Sequence, residues 1–113
     1  MEKKFKVWDK EYKKFIIHTM HISFDLNGYV YNLQNGEGGP EKYDLIQYIG
    51  LKDIHNIEIY ENDIVKGVLR IEEDDYDFEG VVTFDSGAFI CEQADFSLDT
   101  YELEIIGNIY ESK

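Results

Sequence analysis

Apolar and polar residues alternate along much of this chain, which is the pattern of β-strands that bury one face. Residues 4–9, KFKVWD, alternate in this way, and residues 13–17, KKFII, form a second strand-like segment after a polar turn. These two segments therefore predict a β-hairpin at the N-terminus. Asn27 and Gly28 predict a second sharp turn, before a short strand at 29–31, because both residues tolerate positive φ.

The second half of the chain has more of these alternating segments, separated by polar stretches. Strands are predicted at residues 57–60, 63–71, 80–84, 88–91 and 103–110. Five short strands joined by tight turns and one longer loop are typical of a small SH3-like or OB-like barrel. We therefore predict a mainly β chain, in the β-rich α+β class, with a small SH3-like barrel in the C-terminal half and an N-terminal β-hairpin extension.

Residues 35–40, NGEGGP, contain three glycines and the only proline, so they are the strongest candidate boundary in the chain. We predict an N-terminal extension over residues 1–40 and a barrel domain over 41–113, with the alternative that both pack as one domain. Residues 44–49 fit either a strand or one helical turn, and we favour the strand. For the polar segment 92–100 both alternatives stay open.

Acidic side chains strongly outnumber basic ones. The 113-residue chain contains 24 acidic and 11 basic residues, so its formal net charge is −13. Six of the basic residues are lysines among residues 1–14, which leaves the rest of the chain still more acidic. Such a surface is repelled by DNA and by anionic membranes, so we expect no membrane partner and disfavour nucleic acid. Net charge of this size also accounts for solubility without any binding role.

A nucleic-acid-associated small barrel is the alternative that the charge distribution leaves open. It would use the basic N-terminal hairpin, whose lysines are Lys3, Lys4, Lys6, Lys10, Lys13 and Lys14. Small barrels bind single strands where a basic groove and aromatic side chains lie together. Beyond residue 14 the sequence offers no such concentration of basic residues.

The single cysteine, Cys91, excludes a disulfide within the chain. Cys91 follows Ile90 on a predicted strand, so we expect it in the core, where free cysteine behaves as a small hydrophobe. No apolar run reaches the about 18 residues that a transmembrane helix requires, and MEKKFKVWDK lacks the apolar run of a signal peptide. We therefore expect a cytoplasmic protein.

Candidate catalytic and metal-binding residues are few. His18 and His21 are spaced as metal ligands can be, with Asp25 four positions later, but zinc sites need a fuller ligand set. Asp63 and Asp85 lie where turns favour aspartate, which explains them without catalysis. We therefore predict no enzymatic activity, no cofactor and no bound metal ion.

A run of carboxylates follows the predicted strand 63–71. Its members are Glu72, Glu73, Asp74, Asp75, Asp77 and Glu79. Six like charges within eight positions repel one another, so we predict an exposed loop. Calcium binding is one alternative, although the run lacks the glycine of an EF-hand loop. A surface that mimics phosphate groups and binds a partner's basic groove is the other.

Trp8 has the strongest case among the aromatic residues for a contact role. It either packs the N-terminal hairpin onto the barrel or anchors a subunit contact, as tryptophan often does at interfaces. Trp8 and the six carboxylates between residues 72 and 79 are therefore the predicted partner-binding residues.

Four blocks of the sequence carry a family resemblance. They are FKVWDKEYKKF, YIGLKDIHNIEIYENDIVK, GVVTFDSGAF and LEIIGNIYE, and in this order they resemble the YopX family of phage and prophage proteins. The chain departs from the family pattern at residues 53–58, where the usual turn glycine is missing, which puts the geometry of that turn in doubt. At Asn62 it has asparagine for glycine, and asparagine tolerates positive φ.

The resemblance implies a phage or prophage accessory protein with an SH3-type barrel in its C-terminal part, and it assigns no catalytic residue. Together with the acidic surface, it predicts a non-enzymatic protein-binding or oligomerising module in the host cytoplasm. We expect a homo-oligomer that binds an as yet unidentified host or phage protein. Nucleic-acid association through the basic hairpin is the alternative.

Overall fold

A computed structural model describes residues 4–16, 22–32, 36–85, 88–91, 94–95 and 100–111. All regular secondary structure within these residues is β-strand. The first six are β1 (Phe5–Asp9), β2 (Lys14–Phe15), β3 (Ile22–Phe24), β4 (Val30–Asn32), β5 (Tyr43–Lys52) and β6 (Glu58–Tyr60). The remaining five are β7 (Asp63–Ile71), β8 (Asp74–Asp85), β9 (Ala88–Cys91), β10 (Ala94–Asp95) and β11 (Thr100–Asn108). The predicted mainly β class is confirmed. No helix in this part of the chain is long and apolar enough to cross a membrane.

The chain divides into two compact units, Lys4–Gln47 and a second that joins Tyr48–Lys113 to Met1–Lys3. Strand β5 contributes its first five residues to one unit and its last five to the other. Residue 40, where a boundary was predicted, lies inside the first unit, because Tyr43 pairs with Asp9 of β1. The division of the chain into domains stays a prediction.

The first unit contains the predicted N-terminal hairpin. Strand β1 pairs antiparallel with β2, with Trp8 opposite Phe15, and on its other side with β5. The β1–β2 turn is held by the carboxylate of Asp9, which accepts the N–H groups of Glu11 and Tyr12. Such side-chain acceptors replace missing backbone partners in turns.

A second hairpin, β3–β4, completes the first unit. Its turn was predicted from Asn27 and Gly28, and Gly28 adopts a φ of +81° there. Val7, Val30 and Tyr43 form the buried core of this unit, and Ile16, Ile22 and Leu45 pack against it.

The second unit is built around β8, in a five-stranded antiparallel sheet of order β10-β9-β8-β7-β11. Strand β8 pairs with β7 over residues 74–81 and with β9 over residues 82–85, and the strands curl into a half-barrel. Its core consists of Ile49, Ile59, Val65, Val82, Cys91 and Leu103. The predicted core position of Cys91 is therefore confirmed.

The turn at residues 53–58, which lacks the usual glycine, is anchored by the carboxylate of Asp53. One carboxylate oxygen accepts N–H groups from His55 and Ile57 at 2.9 and 3.0 Å, and the other accepts that of Ile105 on β11 at 3.1 Å. Burial alone would raise the pKa of Asp53, but these three backbone donors outweigh it and lower the pKa below 3.8. The turn takes its positive φ at Asn56, at 65°.

A second turn stabilised by an aspartate, at Asn62 and Asp63, precedes β7. Asp63 accepts the N–H of Tyr60 at 2.8 Å, and Asn62 has a φ of 68°, as expected where asparagine replaces glycine. The backbone of Asn62 also bonds to Val82 of β8 and to Ile109. This turn thus joins three stretches of the second unit.

For residues 44–49 and 92–100, the sequence left open whether each segment is a strand or a helical turn. Residues 44–49 lie within β5, so the favoured strand is confirmed. Within 92–100, Ala94–Asp95 forms β10 and Thr100 opens β11, while residues 92–93 and 96–99 lie outside the described residues.

Replacing Asp53 by alanine should destabilise the protein by about 3 kcal/mol at neutral pH, because three backbone donors in a partly buried site lose their acceptor together. Asp25→Ala, which removes an exposed carboxylate that accepts the N–H groups of Asn27 and Tyr29, should cost about 1 kcal/mol or less. Denaturant unfolding of both variants measures these differences.

The pH dependence gives this prediction a second measurement. Because the folded-state pKa of Asp53 is lowered, its contribution is present above the ordinary value of 3.8 and is lost as the pH falls through the folded-state pKa. The stability gap between wild type and Asp53→Ala should therefore narrow in acid. A gap that stays constant as the pH falls to acid would contradict the anchoring role.

Candidate functional site

The carboxylate run at 72–79 forms a β-hairpin, so the predicted loop is wrong. Only Glu72 and Glu73 form the turn, and β8 begins at Asp74. The predicted exposure is confirmed for all six carboxylate residues. Like charges are tolerated on a strand because consecutive side chains point to opposite faces, which spreads them apart.

The two faces of the hairpin differ sharply. Val82 of β8 is fully buried and Phe78 packs against the core, so this alternation places Tyr76 on the core-side face. Asp77 and Glu79 lie on the opposite face, which we name the outer face. Neighbouring side chains on one face of a strand are about 7 Å apart. The outer face of β8 is therefore a regular row of carboxylates.

Basic residues on the same face pair with only part of this row. Arg70 of β7 bonds to Asp75, with Nε 2.9 Å from Oδ1. Lys66, which lies opposite Glu79 in register, has its Nζ 3.1 Å from Glu104 on β11. Asp77 lies opposite the apolar Val68. The outer face thus keeps an excess of negative charge.

A groove of about 550 Å³ lies at β11, β7 and β8, and its lining combines outer-face residues with Phe78 of the core-side face. It is lined by Lys66, Gly67, Val68, Asp77, Phe78, Glu79 and Glu102. Three carboxylates, one ammonium group and the apolar side chains of Val68 and Phe78 therefore contribute to its lining. A long basic side chain suits such a site, because its methylenes can cover apolar surface while its charge stays at the acidic rim.

Glu104 is the centre of an ionic cluster beside the groove. Its carboxylate lies 3.1 Å from Nε2 of His55 and 3.1 Å from Nζ of Lys66. The hydrogen bond with His55 and then that with Lys66 lower the pKa of Glu104. His55 is 58% exposed and does not line the groove, so imidazole and carboxylate meet on open surface rather than in a concave pocket.

The cluster was missed in the sequence because His55 and Glu104 are 49 positions apart. No spacing pattern indicates a contact between β11 and the turn after β5. The groove was missed for the same reason, since Glu102 reaches it only through strand pairing.

The structure assigns structural roles to several candidate chemical groups. Asp25 accepts the N–H groups of Asn27 and Tyr29, and Asp63 accepts that of Tyr60. His18 and His21 lie outside the described residues. Among the residues that are described, no three His, Cys, Asp or Glu side chains are grouped to hold a metal ion.

Trp8 is 5% exposed, and its ring packs edge-on against Phe15 at a centroid distance of 4.8 Å. This ring contact lies within the N-terminal hairpin, and packing of the hairpin onto the barrel stays a prediction. A subunit contact through the indole would require the ring to become exposed and stays a prediction.

The lysines of the basic hairpin have neighbours within the first unit. Lys10 pairs with Asp44 at 3.2 Å, and Lys6 lies over the ring of Phe15. Lys14 lies over the ring of Tyr12. Lys3 lies outside the described residues.

Fold and site together define a small mainly β protein with an acidic, strand-borne surface. Comparison with family models matches the YopX protein family over residues 4–113. The chain therefore belongs to the YopX family, and the resemblance of its four sequence blocks is confirmed.

A solved structure shares the fold. Protein EF1440 from Enterococcus faecalis superimposes with a TM-score of 0.62 at 22% identity, over 98% of this chain and 95% of that chain. Comparison with curated proteins returns no match.

Replacing His55 by alanine should raise the pKa of Glu104 towards its ordinary value of 4.5, because the hydrogen bond that favours the ionised carboxylate is lost. Lys66→Met should shift the pKa in the same direction. Lys42→Met should not, since Lys42 pairs with Glu11 and Glu37 in the first unit. Carboxyl-carbon NMR titration measures these values, and an unchanged Glu104 pKa in His55→Ala would show that the contact does not persist in solution.

Proposed function

We propose that this YopX-family protein is a non-enzymatic binding module that docks a basic protein surface through the outer face of the β7–β8 hairpin. The observation that carries the proposal is the placement of Asp77 and Glu79 on a strand rather than in a loop. A strand presents its carboxylates at fixed spacing, so less side-chain and backbone freedom is lost on binding.

The net charge of the chain supports the same function. At −13 the protein attracts cationic partners over several ångströms and accelerates their encounter. The groove adds apolar lining to this attraction, so the stems of lysine or arginine side chains would bury methylene groups there. Charge guides the encounter, and the groove supplies contact area. The partner would be a host or phage protein with an exposed basic segment.

Self-association is a second candidate function, favoured by a different surface. The β3–β4 hairpin exposes Phe24 and Tyr29 by 51% and 42%, and Leu26 at its turn is fully exposed. Apolar side chains gathered at one tip are typical of contact sites. We propose that this tip contributes to a homo-oligomer, which light scattering of wild type and Leu26→Ser would test.

The first proposal is tested with a double variant, Asp77→Asn with Glu79→Gln. Its binding to an alternating lysine–serine peptide, followed by fluorescence anisotropy, should weaken by about tenfold, since each such exposed pair contributes under 1 kcal/mol. The salt dependence of binding should fall as well, because fewer charge pairs form.

The matched control removes two exposed carboxylates elsewhere, with Glu41→Gln and Glu111→Gln. Both double variants have the same net charge, so a loss confined to the β8 variant assigns binding to the outer face. Equal losses in the two variants would show that only overall charge matters and would reject the proposal. Binding of a single-stranded oligonucleotide in preference to the peptide would favour the nucleic-acid alternative.

A further inference from the structure

Within the described residues, strand β8 has a neighbouring strand on only one side along most of its acidic half. Residues 74–81 pair with β7, while β9 pairs only with residues 82–85. Across the second edge, no hydrogen bond joins residues 76–81 to any other described part of the chain. An unpaired strand edge of this length is a template for a further strand.

The direction of the backbone groups at this edge follows from the β7–β8 turn. Ile71 and Asp74 pair across the two-residue turn, and the register continues without a shift to Ile64 and Val81. In an antiparallel ladder alternate residues bond to the same neighbour. The even-numbered residues of β8 therefore bond to β7, and Asp77, Glu79 and Val81 direct their N–H and C=O groups to the open edge.

The side chains beside this edge differ between the two faces. Asp77 and Glu79 line the outer face. On the core-side face the hairpin extends past the core, so Tyr76 is 51% exposed and Ile71 is 53% exposed. A strand added here would meet carboxylates on one face and apolar side chains on the other.

We propose that the open edge of β8 binds an extended peptide segment of a partner protein as an additional antiparallel strand, with basic and apolar residues in alternation. Basic side chains lie beside Asp77 and Glu79, and apolar side chains cover Tyr76. The antiparallel direction follows every other strand pair described in this protein. The proposal rests on the proposed function, because it specifies how that basic partner binds.

Repulsion between like charges disfavours a second copy of this chain as the strand that binds the β8 edge. Two β8 edges paired with one another would bring the carboxylates of Asp77 and Glu79 on one chain beside those on the other. Like charges opposite each other destabilise a strand pair. A basic strand turns the same row into favourable cross-strand pairs, as in other cases of strand addition.

The test uses an alternating lysine–valine peptide and two N-methylated forms of it. In the proposed geometry the lysine N–H groups point to β8 and the valine N–H groups point away. Methylation of the lysine amides should therefore weaken binding about a hundredfold or more, because several strand hydrogen bonds are lost together. Methylation of the valine amides should leave it within about threefold. Binding that survives lysine-amide methylation overturns the proposal.

A variant of Tyr76 tests whether the apolar side chains of the peptide contact the core-side face of β8. Tyr76→Ser should weaken binding of the lysine–valine peptide about tenfold and leave the lysine–serine peptide nearly unchanged. Tyr12→Ser, which removes an exposed tyrosine of the first unit, is the matched control and should change neither. Equal binding of both peptides, unaffected by methylation, would retain charge-based docking but reject strand addition. Binding of neither peptide would reject the proposed function itself.

Discussion

The divided pairing of β8 is the constraint on which the rest of the second unit depends. Because residues 74–81 pair with β7 and residues 82–85 with β9, one strand belongs to two ladders. This arrangement curls the sheet, buries Val82 in the core and carries the acidic half of the strand away from it. The exposed carboxylate row and the open edge are both consequences of the same pairing.

Carboxylates play two distinct roles in this chain. Asp9, Asp53 and Asp63 are largely buried and accept backbone N–H groups at turns, so they replace hydrogen bonds that the backbone cannot make there. Asp77 and Glu79 are exposed and stabilise no turn. The net charge therefore overstates the number of carboxylates that a partner can contact, because some of them stabilise turns within the fold.

Alternation of apolar and polar residues was sufficient to predict most strands, and turn chemistry was sufficient to predict positive φ at Gly28 and Asn62. The loop predicted for the acidic run is wrong because the alternation of side chains on a strand separates like charges and so reduces their repulsion. Cross-strand pairing, seen in the bond between Arg70 and Asp75, offsets part of that repulsion. The cluster of His55 and Glu104 depends on contacts distant in sequence, which no local pattern contains.

Residue-resolved amide hydrogen exchange of β8 tests the central claim most directly. If one edge is open, the amides of Asp77, Glu79 and Val81 exchange much faster than those of Tyr76, Phe78 and Gly80, which bond to β7. Uniform protection of all six amides would show that another part of the chain already occupies the edge, and it would contradict the account of β8 as a binding strand.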